Sequence, residues 1–279
     1  MKNLMLAVFA LCVFSAQAQI TAPQPSPAAK IEQMVGLTDV HIEYSRPAAN
    51  GRVVFGNLVP YGKVWRTGAN ENTKITFTDD VQIDGKDLKK GTYALYTIPN
   101  ETNWDIIFYN DATNWGTPRA WDESKVALKT NVNSTKTVWD FERFTIAVDD
   151  MTNDDAMVRM MWENAMVSFK VTVPTDMKTM ASIDATMSGP SANDYFNAAS
   201  YYHEAGKDLI TAMGYAQKAV EMNPNAFWMF RRLSLIQADL GMTSDAISTA
   251  ETSLSLAKKA GNADYVKMNE DSIKEWSGK

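Results

Sequence analysis

The chain has 279 residues, 45% apolar and 22% charged, a globular composition that excludes wholesale disorder. Its net charge of -6 disfavours nucleic-acid binding, and no nucleic-acid partner is expected. One cysteine and two histidines, His41 and His203, exclude zinc fingers, iron–sulfur clusters and a disulfide scaffold. They also argue against a Cys–His or Ser–His–Asp centre, so no cofactor or metal is expected and catalysis is disfavoured.

Residues 1–18 read as a signal peptide. Lys2 supplies a basic start, Leu4 to Phe14 form an apolar run too short for a membrane span, and Ala16 and Ala18 give a small-x-small cleavage site. Cleavage is expected between Ala18 and Gln19, leaving a chain in the periplasm or outside the cell with no transmembrane span. Cys12 lies inside the apolar run behind Leu11, where a lipoprotein signal requires a small residue, so it is read as unmodified. Residues 19–37, with Pro23, Pro25 and Pro27, read as an extended spacer.

From residue 38 to 175 the apolar period is two. Ile75 and Phe77, then Trp104, Ile106 and Phe108, then Phe144, Ile146 and Val148 each line one face of a strand. Val158, Met160 and Trp162 repeat the pattern, followed by Val167, Phe169, Val171 and Val173. Asp84-Gly85 between apolar runs signals a tight hairpin. Short strands with turns between them and no long helix predict an antiparallel sandwich or barrel.

Residues 176–190 read as a connector, and from residue 191 to 279 the period is helical. Ala212, Met213, Ala219 and Val220 recur 34 residues later as Ala246, Ile247, Ser253 and Leu254. Gly206 and Gly241 break the chain between paired helices, and Pro224 ends the first unit. With Tyr195, Tyr202, Phe230 and Leu233 at matching places, this region resembles the tetratricopeptide repeat family, which implies a module for protein contacts.

The stretch from Tyr44 to Glu71 is rich in Gly, Pro and Arg and reads as a long ordered loop, where function concentrates. Arg46, Arg52 and Arg66 supply fork donors suited to carboxylate, phosphate or sugar hydroxyls, and Asn70 and Glu71 follow. The run Val64-Trp65-Arg66-Thr67-Gly68-Ala69-Asn70-Glu71, with Gly91-Thr92-Tyr93, Trp115-Gly116 and Trp162-Glu163, resembles the secreted bacterial domain-of-unknown-function family 2911 over about 41–173. The resemblance implies no established activity.

Candidate ligand-binding residues are therefore Arg46, Arg52, Trp65, Arg66, Asn70, Glu71, Trp115 and Glu163. Arg66 has a structural reading, an ion pair with Glu71 or another carboxylate that pins the loop, beside a ligand-binding one. Trp115 and Trp121 are candidate stacking platforms for a sugar face, or loop-packing residues. The leading expectation is an exported, non-catalytic binding protein for a small polar ligand or glycan, with the repeats contacting a protein. The alternatives are a glycan hydrolase using Glu71 or Glu163 and a purely structural envelope component.

Overall fold

The computed structural model describes residues 22–187 and 189–278, so the expected signal peptide and its cleavage site lie outside the described residues. Compact packing divides the chain into two units at Pro174–Thr175.

The first unit contains, among its described residues, the strands β1 (Ala28–Val35), β2 (Thr38–Ser45), β3 (Thr73–Phe77), β4 (Val81–Ile83), β5 (Lys86–Leu88), β6 (Gly91–Pro99), β7 (Asn103–Tyr109), β8 (Val126–Asn133), β9 (Thr135–Asp149) and β10 (Asp155–Thr172). They form two antiparallel sheets, in the orders β1-β2-β3-β6-β7-β8 and β5-β4-β10-β9. Alternation decides which face each sheet buries. Ile42, Ile75, Leu95, Ile106 and Phe108 come from the larger sheet, and Ile83, Phe144, Val158, Met160 and Phe169 from the smaller. All join one core, and the Phe108 and Phe169 rings meet edge-on at 5.5 Å. The domain is thus a sandwich, the first of the two expected architectures.

Trp162 and Val167 are both buried although five residues apart, a separation that puts side chains on opposite faces of a regular strand. β10 solves this with a bulge. Its register against β9 shifts on both sides of Glu163, which has φ 50°. The two apolar runs read separately from the sequence are therefore one strand. Asp84 and Gly85, both at positive φ, close the β4–β5 hairpin as expected.

The expected spacer requires correction. Residues 28–35 form β1, paired along its full length with β2. Its inward residues include Ala29, Ile31 and Val35, only the last fully buried, so its alternation is weak in sequence. The proline segment before it is also tied down: Arg46 donates from its backbone N–H to Pro27 O at 2.9 Å, and Arg143 from its guanidinium to Pro25 O at 3.3 Å. A fragment spanning 26–174 should therefore melt cooperatively, whereas one beginning at residue 38 should melt lower or aggregate, because it bares the edge of β2. Circular-dichroism melts of the two fragments check this, and equal midpoints would contradict it.

The second unit holds α1 (Thr175–Thr186), α2 (Ala192–Glu204), α3 (Leu209–Met222), α4 (Phe227–Asp239), α5 (Thr243–Ala260) and α6 (Ala263–Ser277). The expected connector is thus largely helix α1, whose Asp176 accepts from Tyr201 Oη at 2.7 Å and pairs with Lys207 at 2.6 Å. Its apolar positions, mostly Met and Ala, lack a helical stripe strong enough to read from sequence. The 34-residue repeat appears as two helix pairs, α2–α3 and α4–α5. Ala212 and Ala246 are fully buried, as are Ala219 and Ser253, where small side chains let helices approach closely. Ser253 adds a bond its counterpart lacks: its hydroxyl donates to Phe227 O at 2.7 Å and accepts from Asn269 Nδ2 at 2.9 Å, joining α4, α5 and α6. No helix among the described residues is long and apolar enough to cross a membrane.

Candidate functional site

The outward face of the larger sheet changes character halfway across. Lys30, Glu43 and Lys74 stand in register on β1, β2 and β3, and the same row continues into Ala94 of β6 and Tyr109 of β7. Over β6 and β7 this face is apolar. There Ala94, Tyr96, Ile107 and Tyr109 are buried beneath residues that include Ala112, Trp121 and Val126. Trp121 lies 4.7 Å from the Tyr109 ring, so packing accounts for it. Over β1 to β3 the face is polar and, among the described residues, open, and it forms the floor of a cleft of about 370 Å³.

Three candidate residues, Asn70, Glu71 and Trp115, converge on this cleft with Gln24, Lys30, Glu43, Asn72 and Lys74. Asn70, at φ 60°, donates from Nδ2 to Ser26 O at 3.1 Å and Ser45 Oγ at 3.3 Å, fixing the rim. Glu71 pairs with Lys74 at 3.0 Å and Glu43 with Lys30 at 2.5 Å. The hydrogen bond from Lys30 holds the Glu43 carboxyl below its ordinary range.

Trp115 is 75% exposed, yet its neighbour is anchored. Asn72 Nδ2 donates to Tyr96 Oη at 3.2 Å, and Tyr96 Oη donates to Gly116 O at 3.0 Å. Burial raises the Tyr96 hydroxyl pKa, keeping that donor protonated. Asp111, held well below the usual carboxylate range by Lys125 and Thr113, secures the start of the same segment. Asn72 was not among the candidates; it lies just before β3, and its tie to Tyr96 is a side-chain bond that periodicity does not report.

The other candidates lie elsewhere. Arg46 is a structural clamp, donating to Phe144 O at 3.2 Å and Thr145 Oγ1 at 2.7 Å across the two sheets. Trp65 is a core residue, 9% exposed, stacked on Trp162 at 5.8 Å, so no ring face is left for a ligand. Arg52 folds back on Ala48 O and Ala49 O. It shares a second cleft, of about 490 Å³, with Glu163, whose Oε1 accepts from the Val54 N–H at 3.2 Å. Glu71 and Glu163, the two carboxylates considered for glycan hydrolysis, thus line different clefts.

The expected ion pair of Arg66 is corrected outright. Glu71 is taken by Lys74, and among the described residues no carboxylate pairs with Arg66. Its Nε is buried without a hydrogen-bond partner, and its side chain lies beside the space a Gly116 Cβ would occupy, 3.6 Å from Cδ. Arg66→Met keeps the stem and removes that unmet donor. The change should alter stability by under about 1 kcal/mol in a denaturant titration. A loss of about 3 kcal/mol or more would instead indicate a hidden anionic partner.

A family model described as a protein of unknown function, DUF2911, matches residues 26–171. The chain belongs to the DUF2911 family. The DUF2911 match begins just before β1 and ends within β10, so it covers the sandwich, β1 included. No curated protein matches the chain. Among solved structures, a tetratricopeptide repeat domain protein from Salinibacter ruber is similar at 18% identity, over 32% of this chain and 98% of that chain, with a TM-score of 0.30.

Proposed function

We propose that this DUF2911 chain is an exported, non-catalytic binding protein. Its sandwich takes a small polar ligand in the cleft beside Trp115, and its helical repeats contact a protein. The observation that carries the reading is Trp115 itself. A large ring left 75% in water forfeits the free energy of burial, while the chain beside it is held by the Asn72–Tyr96–Gly116 bonds. Such an anchored, uncovered aromatic beside a polar cleft is suited to ligand contact.

Export rests on the order of basic start, apolar run and Ala-x-Ala site in residues 1–18. N-terminal sequencing of the secreted chain should begin at Gln19, and a mature chain retaining Met1 would contradict export. Protein contact by the helices rests on their repeated pairs, since stacked repeats present extended surfaces.

The ligand claim is tested by thermal melts against a panel of sugars, amino acids, nucleotides and small carboxylates. One member should raise the midpoint by about 5–10 °C at a hundredfold excess over its dissociation constant. Trp115→Ala should melt like the wild type alone and lose most of that rise. No rise with any member, or an equal rise in the variant, would overturn the reading.

A further inference from the structure

We propose that the cleft beside Trp115 selects an uncharged sugar, bound with one ring face against the indole and its hydroxyls across the Lys30–Glu43 and Glu71–Lys74 pairs. This rests on the binding role proposed above and names the ligand class.

Three observations narrow the chemistry. The first is charge. The cleft carries two lysines and two glutamates, joined in pairs at 2.5 Å and 3.0 Å. Opposite charges this close largely cancel at ligand distance, so neither pair leaves a lining charge free for an anion or a cation, and the unpaired Arg66 guanidinium beside Gly116 is not among the lining residues. An ionic ligand would have to displace a partner already in place. A hydroxyl avoids that competition, because it accepts from an ammonium and donates to a carboxylate at once. Neighbouring strands lie about 4.8 Å apart, so the row of Lys30, Glu43 and Lys74 offers donor, acceptor and donor in sequence.

The second is an unmet acceptor. Asn72 is 2% exposed and lines the cleft, and its Oδ1 has no hydrogen-bond partner among the described residues. Its orientation is dictated by Tyr96, whose one proton goes to Gly116 O, so Tyr96 Oη must accept from the Asn72 amide nitrogen. The remaining oxygen requires a donor. That oxygen is closed to solvent, so only a donor that parts the rim reaches it; a sugar hydroxyl carries such a proton, whereas an ionised carboxylate or phosphate carries none.

The third is the ring. Trp115 offers an apolar plane at the edge of a polar floor, and a pyranose is amphipathic in the same sense, with axial C–H groups on its faces and hydroxyls around its rim. A flexible aliphatic polyol lacks that face.

The test is calorimetric titration of the full chain with uncharged tetramers of β1,4-linked glucose and β1,4-linked N-acetylglucosamine. A galacturonic acid tetramer and glucose 6-phosphate serve as charged counterparts. At least one uncharged tetramer should bind, and Trp115→Ala should weaken it about tenfold or more while Trp115→Phe retains most of the affinity. Both variants sit at an exposed position, so their melting points should match the wild type. If a charged sugar binds more tightly than either uncharged tetramer, with the same dependence on Trp115, the cleft is a ligand site but its selectivity for uncharged sugars is overturned. If no sugar binds, or binding ignores Trp115→Ala, the sugar assignment is overturned. The broader reading then stands only if another member of the melting panel stabilises the wild type and not Trp115→Ala.

Discussion

Trp65→Ala is expected to lower the stability of the sandwich by about 3–5 kcal/mol. Trp65 is 9% exposed and sits among aromatic rings: Phe144 at 5.1 Å, Trp162 at 5.8 Å, and Phe55 and Trp104 both at 6.2 Å. Removing the indole opens a cavity beneath the loop and deletes the Nε1–H bond to Gly68 O at 3.0 Å. For a domain of this size the loss corresponds to a fall in melting temperature of about 6–20 °C. Urea titration checks it. A change below about 1 kcal/mol would mean the ring is not packed as described.

Gly68→Ala is expected to cost about 2–4 kcal/mol, by a different route. Gly68 has φ 154°, where a side chain is strained, and a Cβ there would lie 3.0 Å from Ser45 O and 3.2 Å from Thr73 Oγ1. The first contact is backbone and cannot swing aside. Thr73 Oγ1 also donates to Thr67 O at 2.5 Å, so the substitution disturbs the turn from both sides. Gly51 is the control. It has φ 70° with open space around the added methyl, so Gly51→Ala should cost only about 1–2 kcal/mol. Equal losses at the two positions would contradict the steric part of the argument.

The sandwich was legible where alternation was strong. Ile75 and Phe77, Ile106 and Phe108, and Phe144 and Ile146 all point into the core as their period of two requires. β1 was not legible, because an edge strand with half-exposed Ala29 and Ile31 carries little hydrophobic contrast. The bulge at Glu163 was not legible either, since a local pattern does not reveal when two runs belong to one strand. The helical repeat was readable from its spacing, because small residues at helix contacts recur with the unit. Of the candidate site, composition marked the right loop without saying which way its residues face. Arg46 and Trp65 turned inward because the cross-sheet carbonyl and the aromatic cluster claim them. Asn70, Glu71 and Trp115 met at one cleft only because the outward face is apolar over β6 and β7 and polar over β1 to β3. That division depends on strand order, which sequence periodicity does not report.

A ligand is expected to meet the exposed face of Trp115. The chain has eight tryptophans, and two of those among the described residues, Trp115 and Trp139, are equally exposed at 75%. Trp139 lies on β9, in the other sheet and outside the cleft, so it serves as an internal control. The decisive measurement is a nitrogen-15 indole NMR titration of the full chain with the uncharged oligosaccharides, signals being assigned by single Trp→Phe variants. The Trp115 indole signal should move saturably while that of Trp139 stays in place. Movement of Trp139 alone, or of neither signal during a titration in which calorimetry detects binding, would contradict it.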